Sequence, residues 1–364
     1  MKKIASYNFS VDVIRVLAIF GVVAIHTANS VFERPDFFGG KSWWVAIIIN
    51  SVSRICIPLF IMVSGYLLLL KNESFKITLK RIFGRLVIPL VCWTILNYLL
   101  TNIKDFSAIF TPRFYLRFLA GDVSSFYFLV LLIGLYFISP LIRTYLNNSS
   151  IKAQKYLGLL FLLVGIVETA AEYLIRTCAV ENSFTRWVPY TGLFVIGYLI
   201  GTKKLKFNNK TLLSGLYFVG LIATIGLNYL YYSSGSIYIL RTNYVGCITH
   251  YSDTYLSINV VLMSVAAFAL LFKPNLKSIK NKLLEKIVYL IARASFGIYL
   301  VHLFIVTIWD RWLKWDVDNT SLPLWAYVIV KWLGVFVISF ILAIVINNKK
   351  MKAPESRRII PELP

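Results

Sequence analysis

A guanidinium and an imidazole eleven residues apart on one apolar stretch are the sharpest chemical signal in this sequence. The run is DVIRVLAIFGVVAIH, from Asp12 to His26. On a helix, the eleven steps from Arg15 to His26 make three turns plus about 20°, so both side chains share a face, about 16.5 Å apart along the axis. An imidazole takes up or gives a proton near neutral pH, or acts as a nucleophile. A guanidinium holds phosphate or carboxylate. Asp12 lies one turn from Arg15 and can pair with it. The residues leave a second reading open, in which His26 only hydrogen-bonds a neighbouring helix while Arg15 reaches the interface.

Other ionisable residues join this pair. Arg54 falls inside the apolar run SVSRICIPLFIMVSGYLLLL, and a charge there needs a partner or a wet cavity. Next comes SFKITLKRIFGRLVIPL, in which Arg81 and Arg85 are four residues apart and Lys80 is adjacent. That spacing suits a phosphate-rich ligand, and equally suits plain anchoring at the membrane surface. Glu168, Glu172 and Arg176 share a helix face and either line a polar cavity for a sugar or pair internally. Ser295, Tyr299 and His302 also share a face, with Arg293 on another. His302 is either a second catalytic or acceptor-binding group or a satisfied core histidine. His250 stands in a loop beside Tyr251 and Asp253. Cys56 and Cys92 lie in apolar runs; Cys178 and Cys247 lie in loops, where a bridge or two free thiols are both open. No spacing of Cys or His suggests a metal.

The elements that must position these residues are membrane helices. Of 364 residues, 58% are hydrophobic and 15% charged, and the mean hydropathy is +0.72. Such a chain is no soluble enzyme, disordered protein or disulfide scaffold. Ten apolar stretches are marked: 13–31, 43–70, 86–103, 126–147, 156–176, 187–201, 211–232, 254–272, 287–309 and 323–347. The second is long enough to tilt or break near Pro58, and the sixth is short. Segment 105–125 is too interrupted by charge, Pro and Gly to cross, and reads as interfacial or re-entrant. The expected fold is therefore all-α, polytopic, with about ten transmembrane helices in residues 1–350 and a short cytoplasmic tail at 351–364.

Charge sets the orientation. The net charge of +22 comes from 38 Lys and Arg against 16 Asp and Glu. With the N-terminus inside, 24 of the 38 fall in cytoplasmic segments, as the positive-inside rule requires. Both termini are expected in the cytoplasm, and the basic excess is topology rather than affinity for nucleic acid. Lys2 and Lys3 before an apolar run imitate a signal peptide, but Asp12 and Arg15 interrupt the run, so it reads as a retained first helix. No internal repeat is apparent. From the residues alone, a polytopic transporter or exporter of a glycan or small solute stands as the alternative to an enzyme.

Three pieces of the chain resemble membrane-bound acyltransferase family 3: DVIRVLAIFGVVAIH, SRICIPLFIMVSGYLL and SFGIYLVH. The ten-helix layout agrees, and the similarity is nearest to the branch that resembles the enterobacterial common antigen O-acetyltransferase. The resemblance implies an integral membrane O-acetyltransferase of the bacterial inner (plasma) membrane. It implies acetyl-CoA as acyl-donor substrate, with no permanently bound cofactor, and a hydroxyl of an extracytoplasmic or lipid-linked sugar of a surface polysaccharide as acceptor. The family's Arg-x10-His motif falls on Arg15 and His26, which makes His26 the catalytic histidine and Arg15 its positioning partner. Lys80, Arg81 and Arg85 are the implied coenzyme A phosphate contacts, although the family's spacing varies here and the match is looser. Arg54, Glu168, Glu172, Tyr299 and His302 are the expected substrate-binding residues. Without the extra soluble domain that some relatives add, any second transfer step is expected to need another protein.

Overall fold

A computed structural model describes residues 8–71, 73–101, 111–112, 126–175, 185–233, 251–274, 276 and 278–351. Among them the chain is helical and contains no strand. The helices are α1 (Phe9–Phe32), α2 (Lys41–Ser53), α3 (Cys56–Leu69), α4 (Phe75–Ile82), α5 (Ile88–Thr101), α6 (Tyr127–Asn148) and α7 (Ile151–Ile175). They continue as α8 (Thr191–Gly201), α9 (Lys210–Ser233), α10 (Ile258–Leu271), α11 (Lys282–Thr307) and α12 (Leu324–Met351). Among the described residues nine segments are long and apolar enough to cross a membrane, and α8 is a shorter apolar helix. These match the ten stretches read from hydropathy, including the short sixth one. Segment 105–125 (apart from 111 and 112), Arg176, Cys178, Cys247, His250 and the tail from 352 lie outside the described residues.

Local chemistry explains the ends and breaks that matter for function. Asn8 caps α1, its side-chain oxygen accepting the Ser10 N–H at 3.0 Å. Asn281 caps α11 through the Leu284 N–H at 3.0 Å. The second span divides into α2 and α3, with the turn at Arg54 and Ile55 rather than at Pro58 itself. A proline ring clashes with the carbonyl four residues earlier and cannot return its hydrogen bond. That carbonyl belongs to Arg54, so the helix opens there. In the third span, α4 passes into α5 through a π-turn, Phe83–Val87, just before Pro89. A second π-turn, Ile308–Trp312, ends α11.

The chain divides into two units. The first comprises residues 1–63, 166–178 and 206–361. Within it α1 packs on α2, α11 and α12, while α9 packs on α10 and α2. The N-terminal turn of α1 is held by the Phe9 N–H, which donates to the Leu276 carbonyl at 2.6 Å. The Trp332 indole N–H of α12 donates to the Phe20 carbonyl at 3.1 Å. Around the far end of α1 lies an aromatic core of Phe32, Trp43 and Tyr232. Lys331 of α12 is buried and pairs with Asp310 at 2.6 Å, so its charge is compensated.

The second unit comprises residues 64–165, 179–205 and 362–364. Here α6 packs on α4 and its π-turn. Gly65 of α3 lets the backbone of α8 approach closely: a Cβ at this position would stand 1.8 Å from the Phe194 carbonyl oxygen. Only a residue without a side chain fits such an approach.

Candidate active site

α1 is unbroken from Phe9 to Phe32, so Arg15 and His26 share one rigid element with the spacing that helix geometry dictates. Their environments differ. Arg15 and Asp12 are buried at 3% and 1% exposure. His26 is exposed, although Val22, Val23, Ala24, Ile25, Thr27 and Ala28 around it are all buried. An accessible imidazole in the middle of a packed helix is where a substrate can be met. Gly21, one turn and a half earlier, lets α1 close on the α2–α3 break. A Cβ there would lie 3.1 Å from Cβ of Cys56 and 3.3 Å from the Ser53 carbonyl oxygen.

That close approach brings Arg54 into electrostatic reach of His26. Arg54 is itself fixed by a continuous polar chain. It ion-pairs with Asp253 at 2.9 Å, and both side chains are about one-tenth exposed. It also donates to the Asp253 backbone carbonyl at 3.1 Å and, through Nε, to Oδ1 of Asn50 at 2.8 Å. Asn50 donates to Asn29 at 2.6 Å, and Asn29 donates to Oε1 of Glu33 at 2.5 Å. On the other side Asn228 donates to Oδ1 of Asp253 at 2.8 Å and accepts from Ser252 Oγ at 2.8 Å. Along the Asn50–Asn29 chain each amide points its oxygen toward the guanidinium side and its NH2 toward Glu33, while Asn228 turns its oxygen to Ser252. One cation is thus held between two carboxylates, directly at Asp253 and through two amides at Glu33.

Glu33 follows the last turn of α1. It has accessible surface, yet enough protein surrounds it that burial raises its carboxyl pKa, with Arg54 pulling the other way. His26, Asn29 and Glu33 are spaced i, i+3 and i+7, so they form one polar stripe on α1. His26 and Glu33 are exposed, and Asn29 is half-buried.

Behind His26 stands His302 of α11. The ring centres are 5.2 Å apart at 50°. His302 is fully buried, and its Nδ1 lies 2.6 Å from the Tyr299 carbonyl oxygen. Nε2 of His302 is buried with no hydrogen-bond partner. Tyr299 is 5% exposed, with its ring 5.6 Å from His302. Ser295 donates to the Ala292 carbonyl of its own helix at 2.8 Å, and Arg293 donates to the Tyr289 hydroxyl at 2.7 Å. Glu168 is exposed and Glu172 half-buried on α7.

The basic cluster lies in the second unit. Lys80 is exposed; Arg81 lies in the last turn of α4, while Arg85 sits in the π-turn, so one wide turn interrupts the regular spacing between them. Arg81 pairs with Glu73. Arg143 of α6 reaches the same place, donating to the Lys71 carbonyl at 2.9 Å and to Thr78 Oγ1 at 3.2 Å. Among the described residues no group of three His, Cys, Asp or Glu side chains could hold a metal ion.

Sequence reasoning passed over Asp253, Asn50, Asn29, Glu33 and Arg143. Asp253 attracted notice only as a loop neighbour of His250. The stripe was open to reading, since Asn29 and Glu33 continue the His26 face at helical spacing. The Arg54–Asp253 pair, 199 residues apart in the chain, carries no local signal.

No curated protein and no solved structure matches this chain. The family model described as an acyltransferase domain matches residues 8–347, which include every element of the His26 site. The chain is a multi-pass membrane acyltransferase and belongs to membrane-bound acyltransferase family 3.

Proposed function

We propose that the protein moves an acetyl group from cytoplasmic acetyl-CoA to a hydroxyl of an extracytoplasmic or lipid-linked sugar of a surface polysaccharide. The observation that carries this reading is the accessible His26 within an otherwise buried turn of α1, on the same helix as Arg15. The protein resides in the bacterial plasma membrane with both termini in the cytoplasm, an orientation supported by the distribution of Lys and Arg. Arg15 attracts the anionic donor, and Lys80, Arg81 and Arg85 contact its phosphates. Pairing of Arg81 with Glu73 fixes the guanidinium and leaves Lys80 and Arg85 as further positive groups.

His26 acts in one of two ways. As general base it takes the proton of the sugar hydroxyl while the hydroxyl oxygen attacks the thioester carbonyl; the C–S bond breaks and the thiolate leaves with the coenzyme. As acyl carrier its nitrogen attacks the thioester carbonyl first, the C–S bond breaks and the thiolate leaves. The sugar hydroxyl oxygen then attacks the acyl carbon, the C–N bond breaks, and the freed imidazole nitrogen takes the hydroxyl proton. The acceptor approaches along the stripe His26–Asn29–Glu33, where a carboxylate accepts sugar hydroxyls. Arg54, Tyr299, Glu168 and Glu172 complete the set of acceptor-side candidates, with Arg54 acting through the network it organises; His302, fully buried, stands behind His26 instead of meeting the sugar.

The test is mass spectrometry of surface glycans from cells with and without the protein, together with acetyl-CoA consumption by the purified protein. Loss of one acetyl substituent supports the reading; unchanged glycans and no donor consumption overturn it. Two variants probe the partners separately. Arg81→Ala with Arg85→Ala is expected to raise the donor KM by about tenfold or more with kcat largely kept, since charge-assisted phosphate contacts are lost. An unchanged donor KM removes the phosphate role. Glu33→Gln is expected to raise the acceptor KM by about tenfold and leave the donor KM alone, as loss of hydrogen bonds to a charged group implies. Equal shifts in both constants would separate Glu33 from the acceptor.

A further inference from the structure

His302 is fully buried, whereas His26 beside it is exposed. A substrate therefore meets His26, and His302 stands behind it. The contact of His302 Nδ1 with the Tyr299 carbonyl fixes its tautomer: a carbonyl oxygen only accepts, so Nδ1 carries the proton. Nε2 is then a bare lone pair, and it is buried with no partner. A buried acceptor left unpaired is destabilising, so a donor in reach is expected. The neighbouring imidazole supplies one. In a linear N–H···N bond between two imidazoles, each nitrogen lies about 1.1 Å from its ring centre and the nitrogens are about 3 Å apart. That arrangement puts the ring centres close to the observed 5.2 Å. A turn of the His26 ring about its χ2 torsion, which is broad for an imidazole, aims a ring N–H at Nε2.

We infer that His302 is a positioning residue: its Nε2 accepts the ring N–H of His26 and thereby leaves the other His26 nitrogen bare on the accessible side. The inference rests on His26 as the reacting group and adds which nitrogen reacts. It serves either chemical route. When the bare nitrogen takes the hydroxyl proton, or forms a bond to the acyl carbon as thiolate departs, the ring becomes cationic. The N–H···Nε2 bond to His302 is then charge-assisted and strengthens as the reaction proceeds.

The protein has three histidines, so selective 15N-histidine labelling of the full chain in lipid nanodiscs gives a readable ring-nitrogen spectrum. His250→Asn and His302→Gln assign the signals. In the unaltered protein, His26 is expected as a single tautomer with one protonated and one bare nitrogen. In His302→Leu it is expected as a mixture of tautomers, with kcat down about tenfold or more and the donor KM unchanged. His302→Gln places a carbonyl oxygen where Nε2 stood and is expected to keep a single His26 tautomer and most of the turnover. Should His302→Leu keep a single His26 tautomer, or Gln and Leu lose turnover equally, the positioning role is overturned. Normal turnover in His26→Ala would instead sink the assignment of His26 as the reacting group, while the His26 tautomer still reports the ring pair on its own.

Discussion

His26→Ala is expected to lower acyl transfer about 10²–10⁴-fold while the protein keeps its fold. A positioned general base contributes a factor of that size, and loss of an acyl carrier costs at least as much. His26 is exposed and its ring contact is with His302, so the substitution costs no more than that one contact. Thermal unfolding in detergent should therefore change little. Arg15→Ala differs, because it removes a buried charge from the base of α1, so its loss of activity must be read beside its stability. Near-normal transfer by a folded His26→Ala protein would contradict the assignment.

Asp253→Leu is expected to be the most destabilising single change near the site. It leaves Arg54 buried without its carboxylate, and breaking one side of a buried pair costs about 3–5 kcal/mol. The same substitution removes the acceptor for Asn228 and, through Arg54, loosens the Asn50–Asn29–Glu33 chain. The double variant Arg54→Met with Asp253→Leu is expected to recover much of that stability, since an apolar pair of similar volume replaces the ions at little net cost. It should not recover turnover. The guanidinium orients the amide chain that ends on the polar stripe of α1, and methionine cannot. Unfolding curves for the two single variants and the double variant give the coupling energy directly. Additive effects would show that Arg54 and Asp253 act independently. In the Asp253→Leu protein, an unbalanced Arg54 also opposes the positive charge that His26 gains during reaction, so turnover should fall further than stability alone explains.

Much of the fold was legible because its signals are local. Hydropathy marked the spans, and the short α8 stood out by length alone. Helical periodicity placed Arg15 and His26 on one face because α1 is continuous. The break in the second span was legible too, though its position needed the proline rule applied backwards: Pro58 frees the carbonyl of Arg54, and the turn lies there. What escaped was contact between distant segments. Arg54 looked like a lone charge in hydrocarbon, while its partner Asp253 ends the short turn Tyr251–Asp253 and precedes α10 by only a few residues. His302 shared a pattern with Ser295 and Tyr299, but nothing in that pattern shows that it faces His26 rather than a sugar. Arg143 read as one more topology charge, and only packing of α6 on α4 puts it beside Thr78.

The most direct test of acyl transfer at His26 is donor-dependent labelling in reconstituted membranes. Purified protein in liposomes is given acetyl-labelled coenzyme A and an acceptor glycan, and label on the glycan is followed with time. The expected result is label on a sugar hydroxyl only when donor is present, falling to near background with His26→Ala. Label transfer undiminished in that variant, or movement of glycan across the membrane with no donor at all, would contradict it.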